Sequence, residues 1–150
     1  MKLSGIFIVF LFMSFISCDK EDVLPPSLVV NTPLALSNFN VLEYISVQGT
    51  ASDETSIEYV ELKLLNNNLA SVSNQIVLYS NELNFNFNAN LLIDDIHLSS
   101  GNYFLKVAVS DGENVTTSYV EIFLSAVPLV LKKTYVVSSN TNSFNLSKSR

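Results

Sequence analysis

The 150-residue chain has no tryptophan, one cysteine and one histidine. A single cysteine leaves no partner for an intrachain disulfide. Zinc centres draw on several His or Cys ligands, so His97 alone does not make one; it is expected in a loop or at a strand edge. No Gly-x-Ser-x-Gly stands ready as a nucleophile elbow, and the chain is read as a non-enzyme. Without tryptophan it also lacks the broadest surface for stacking on a sugar. Positive charge is scarce where the apolar residues are spread most evenly. Residues 27–125 hold eleven acids against Lys63 and Lys106, a formal charge of −9. Such a domain repels a phosphate backbone, which excludes nucleic acid as a partner. Lys132, Lys133, Lys148 and Arg150 follow with no acid among them, too few to reverse that balance. No stretch carries the apolar stripe of an amphipathic helix.

What is present begins at the N-terminus. Hydrophobic residues make up 48% of the chain, and much of the excess lies in its first seventeen positions. Met1-Lys2 is a short positive segment, and Gly5–Ile16 is an apolar run of secretory length, short for a membrane span. Ser17-Cys18 closes it. These residues resemble a lipobox, where a signal peptide is cut before a cysteine that receives a diacylglyceryl group; Phe15 stands where leucine is usual. Asp19-Lys20-Glu21-Asp22 resembles the surface-export signal of lipoproteins from the Bacteroidetes group. The resemblance implies an outer-membrane, surface-exposed protein held by lipid at Cys18. Two or three acyl chains hold firmly where one holds marginally, at about 0.8 kcal/mol per buried CH2. Residues 1–17 are thus read as signal peptide and 18–26 as a lipidated, acidic linker. Pro25-Pro26 favours extended geometry there.

From Ser27 the period is two. Apolar residues alternate with polar ones in seven runs: Leu28–Val30, Ile45–Ala51, Val60–Leu64, Ile76–Leu78, Leu83–Phe87, Tyr103–Val109 and Val120–Leu124. Asp53–Ser56, Ser99–Asn102 and Asp111–Asn114 punctuate them, and Asp111-Gly112 predicts a hairpin turn with positive φ at its centre. Seven short strands in about a hundred residues predict an all-β, two-sheet sandwich.

Gly49–Asp53, Ile57–Val60 and Gly101–Gly112 resemble bacterial immunoglobulin-like, cadherin-like and PKD-like modules, a likeness spanning residues 27–125. It implies a seven-stranded immunoglobulin-like sandwich, with Tyr103 at the tyrosine-corner position and Gly101, Asp111 and Gly112 in structural roles. The missing tryptophan and disulfide exclude the antibody-type variant. Cadherin-like modules bind calcium through acidic loops, which makes Asp53, Glu54, Asp111 and Glu113 the calcium candidates. The plainer reading is that Asp53 and Asp111 serve their turns. No cofactor is expected beyond the lipid.

If Val60, Leu105 and Val120 face inward, then Tyr59, Leu65, Phe104, Tyr119 and Phe123 face outward. The expected pairing gathers Leu65, Phe104 and Phe123 at one end and sets Tyr59 and Tyr119 across from Ala108. This is the candidate binding face, for a protein or a glycan. Residues 126–150 form a tail: Leu129–Val137 is strand-like, and Ser138–Ser149 reads as polar and turn-rich, the opening of a further β-domain. The expected function is a non-catalytic surface lipoprotein that binds, adheres or spaces. One alternative is a glycan-binding component of a polysaccharide-uptake system; another is the N-terminal accessory part of a larger enzyme or propeller protein.

Overall fold

In a computed structural model the described residues are 24–128, 134–140 and 143–149, the last two stretches as backbone alone. The expected signal peptide, Cys18 and Asp19–Asp22 lie outside them. Ten strands follow in order: β1 (Ser27–Thr32), β2 (Ser37–Asn40), β3 (Tyr44–Ser52), β4 (Tyr59–Leu65), β5 (Ile76–Tyr79), β6 (Asn84–Leu92), β7 (Gly101–Ser110), β8 (Val115–Ser125), β9 (Thr134–Asn140) and β10 (Ser143–Ser149). The described residues contain no helix.

The first eight strands make two sheets, β1-β3-β6 and β2-β8-β7-β4-β5, packed as an immunoglobulin-like sandwich. The period of two explains why they pack. Along β3, Ile45, Val47, Gly49 and Ala51 are buried while the residues between them are exposed. Phe87 and Leu91 of β6 join them from the same sheet, and Leu62, Leu64, Leu105, Val107, Ile122 and Leu124 meet them from the other. Burying side chains of this size contributes about 1.5–3 kcal/mol each, the main force holding the sheets together. Ile57, between β3 and β4, and Ile93 and Leu98, between β6 and β7, are buried in connections and extend the core to both ends.

One feature differs from the sequence reading. The sandwich has eight strands, not seven, because the first strand changes sheets. β1 pairs antiparallel with β3, and β2 pairs parallel with β8 after a cis peptide at Thr32–Pro33. Pro33 has no N–H to continue the β1 ladder. Ser-Asn-Phe-Asn shows one apolar residue, too little alternation to be read as a strand. The β7–β8 connection is the hairpin turn expected at Asp111–Asn114: Ser110 and Val115 are the last pair, so those four residues form the loop, with Gly112 at φ +103°. The Asp111 carboxylate accepts the backbone N–H of Glu113 at 2.7 Å and of Asn114 at 2.6 Å, which fastens that loop.

Tyr103 is buried and donates its hydroxyl to the Ser99 carbonyl at 3.0 Å, tying β7 to the connection before it. β9 and β10 pair with each other from Ser143↔Asn140 to Ser149↔Thr134. The segment read as turn-rich thus contributes most of a hairpin, because Phe144 and Leu146 alternate with polar residues that a strand tolerates.

Candidate binding surface

The outward face of β2-β8-β7-β4-β5 carries the residues expected to bind. Register places them in rows across the sheet. Phe104 lies opposite Leu65 on one side and Glu121 on the other. Phe123 lies opposite Asn102, and Tyr119 opposite Lys106. Phe123 and Tyr119 are therefore the diagonal neighbours of Phe104, about 7–8 Å away across the ladder. Glu121 sits among these three aromatics and accepts a 2.7 Å hydrogen bond from Asn102.

The five candidates do not form one surface. Leu65 is 6% exposed, which withdraws it from any ligand. Tyr59 lies opposite Ser110 and Tyr79, two rows from Tyr119, while Ala108 lies opposite Glu61 and Thr117. The expected pairing of Tyr59 and Tyr119 across Ala108 is corrected accordingly: β4 and β7 are far apart in the chain, so no turn fixes their register, which packing sets instead. Between the two tyrosines runs an ionic row. Lys63 Nζ is 2.7 Å from Glu61 Oε1, and Lys106 Nζ is 3.6 Å from Glu61 Oε2. The hydrogen bond from Lys63 holds the Glu61 carboxyl below its ordinary range, against partial desolvation, and the charge of Lys106 adds to it. Tyr79 was not among the expected residues; it is the most exposed aromatic among the described residues and extends Tyr59 to the sheet edge. The alternation Ile76-x-Leu78 ended one residue short of it.

The loops after β3, β5 and β7 meet at one end of the sandwich. Asp53, Glu54, Glu58, Glu82, Asp111 and Glu113 all belong to that end. Asp53 accepts both the backbone N–H and the hydroxyl of Thr55, at 2.8 and 2.6 Å. Burial pushes the Asp111 carboxyl up, but the hydrogen bonds from Asn114 and Glu113 outweigh it and hold the group below its ordinary range. Each aspartate is thus engaged in its own turn, and among the described residues no three His, Cys, Asp or Glu side chains are placed to hold a metal ion together. His97 is exposed in the β6–β7 connection at the opposite end, its backbone N–H bonded to Asp95 at 2.9 Å.

The outward face of β1-β3-β6 has another character. Opposite pairs along β3 and β6 are Tyr44↔Leu92, Ser46↔Asn90, Gln48↔Asn88, Thr50↔Asn86 and Ser52↔Asn84. Apart from Tyr44 and Leu92 at one end, the pairs are amides and hydroxyls. The three strands contain no Asp, Glu, Lys, Arg or His. In sequence this face showed only as the polar half of an alternation.

No protein-family model matches the chain, and no curated protein matches it. Among solved structures it is similar to a fibronectin(III)-like module of Clostridium thermocellum CbhA, with 15% identity over 69% of this chain and all of that one, at a TM-score of 0.44.

Proposed function

We propose that the chain is a non-catalytic envelope lipoprotein, tethered through lipid at Cys18 and exported by Asp19–Asp22, whose sandwich holds a β-surface away from the outer membrane. The observation that carries this reading is the position of the chain where it joins and leaves the sandwich. Pro26, the last linker residue, is buried, and its carbonyl accepts the Thr116 hydroxyl at 2.5 Å near the start of β8. β8 then runs eleven residues to the opposite end, where the chain leaves the sandwich at Ser125. At about 3.3 Å per residue that is roughly 35 Å. A tether pinned at one end and a chain leaving at the other is the geometry of a spacer. The β9–β10 hairpin comes after that exit in the sequence.

The acidic end lies on the tether side.

The test is metabolic labelling with a radioactive fatty acid in the native host, combined with protease treatment of intact cells. Wild-type protein takes up label and is cut by external protease; Cys18→Ala takes up none. Label that persists in Cys18→Ala, or a labelled protein protected from protease, overturns the anchor or the surface location respectively.

A further inference from the structure

The four asparagines Asn84, Asn86, Asn88 and Asn90 occupy successive outward positions on β6 and are all exposed. Asparagine is depleted in strands, so each works against the local structure it sits in. Five other described asparagines are used internally: Asn40, Asn74, Asn102 and Asn114 each hydrogen-bond a carboxylate, and Asn66 accepts from two backbone N–H groups. The β6 asparagines do none of this among the described residues. Each amide offers two donors and two acceptor lone pairs, and all point to solvent beside Ser46, Gln48 and Thr50 of β3. Residues that break a local preference without an internal compensation mark functional surface.

The chemistry of the face selects its ligand. In a domain of net charge −9, the three strands carry no charge at all. Polyanions find nothing to pair with and are repelled by the domain as a whole. Protein interfaces centre on aromatic, Met and Arg side chains, whereas the middle of this face has none of them. A ligand that is itself uncharged and dense in hydroxyls matches it. The centre is concave: a depression of about 270 Å³ is lined by Asn31, Gln48, Thr50, Asn86 and Asn88, with Gly49 and Phe87 beneath. Tyr44, exposed in the end row, supplies one ring against which a sugar can lie.

We propose that the outward face of β1-β3-β6 binds a neutral polysaccharide, with Asn86, Asn88, Gln48 and Thr50 as its hydrogen-bonding centre. This deepens the surface-module reading and rests on it for its biological setting. It places the ligand on the sheet opposite to Phe104, Tyr119 and Phe123.

The experiment is native gel electrophoresis of the purified full chain through gels containing neutral polymers (amylopectin, galactomannan, glucomannan and a mixed-linkage β-glucan) or the anionic polygalacturonate. At least one neutral polymer retards the wild type, polygalacturonate does not, and raising the salt about tenfold leaves the retardation unchanged. The double variant Asn86→Val/Asn88→Val loses at least about tenfold in affinity while its thermal midpoint stays level or rises, because Val favours a strand more than Asn. Loss of binding with a retained fold separates a ligand contact from a structural role. The proposal is overturned if no neutral polymer retards the chain, if the double variant binds as the wild type does, if Tyr119→Ala abolishes retardation while the double variant keeps it, or if the face instead pairs two copies of the chain in sedimentation. Retardation needs neither lipid nor export. A chain that binds but takes up no label loses the anchor alone, and a labelled, surface-exposed chain that binds nothing loses this site alone.

Discussion

Gly49 stands in the middle of β3, a position where its own strand propensity is unfavourable. A Cβ there would overlap both the Phe87 ring and the carbonyl oxygen of Val29 on the neighbouring strand. Phe87 is itself 3% exposed and has little room to withdraw, and Val29 contributes backbone. Gly49→Ala is therefore expected to destabilise the chain by about 2–3 kcal/mol, the cost of overpacking a filled core, read as a lowered urea midpoint. Combining it with Phe87→Leu should recover part of that loss, since removing the ring relieves one of the two overlaps. An unchanged midpoint for the single variant would mean that β1 shifts freely. The sequence showed Gly49 only as one inward step of an alternation. That its absent side chain makes space for a ring thirty-eight residues away depends on β3–β6 register.

At the scale of elements, β7 is the strand most fully enclosed, with β4 on one side and β8 on the other. Tyr103 anchors its first turn through the 3.0 Å bond to Ser99. Tyr103→Phe keeps the buried ring and removes that bond, and the Ser99 carbonyl is exposed enough to be rehydrated. The expected loss is about 1 kcal/mol, or roughly 4–8 °C in Tm for a domain of this size; calorimetry checks it, and a shift under a degree would make the bond dispensable. Long strands such as β3, β7 and β8 were legible because many alternating residues agree with one another. β2 was not legible: it is four residues long and exists because β8 offers it an edge. The candidate face fared in the same mixed way. Which residues point outward follows from period two along one strand, but which of them are neighbours follows from register between strands. Hence Phe104, Tyr119 and Phe123 are adjacent while Tyr59 is not.

For the molecule as a whole, charge is the variable that experiment can turn. Glu61 and Asp111 lie below their ordinary values, Glu61 chiefly through Lys63 and Asp111 through its loop N–H groups acting against burial. Glu43 lies low through its bonds from Asn40. A carboxylate lowered in the fold stabilises it above the unfolded value, 4.5 for Glu and 3.8 for Asp, and that stability is lost as pH falls through the folded value. Stability is therefore expected to be flat from about pH 7 to pH 5 and to decline below about pH 4.5. Glu61→Gln should remove about 0.5–1 kcal/mol at neutral pH and flatten part of the acid slope, since its ion pairs with Lys63 and Lys106 are partly exposed. Urea unfolding at a series of pH values measures both; an acid slope equal in wild type and variant would remove Glu61 from the account.

The sequence by itself determined the all-β class, the inward set of residues and the acidic balance of the domain, because each of these is a property of one strand or of composition. The lipobox-like resemblance around Cys18, on which the proposed anchor rests, is likewise a matter of local sequence. Tertiary structure alone decided the eighth strand, the isolation of Tyr59 behind the Glu61–Lys63–Lys106 row, and the gathering of Asn86, Asn88, Gln48 and Thr50 into one uncharged face. Those depend on which strands pair and in what register, and register is set by packing between residues far apart in the chain.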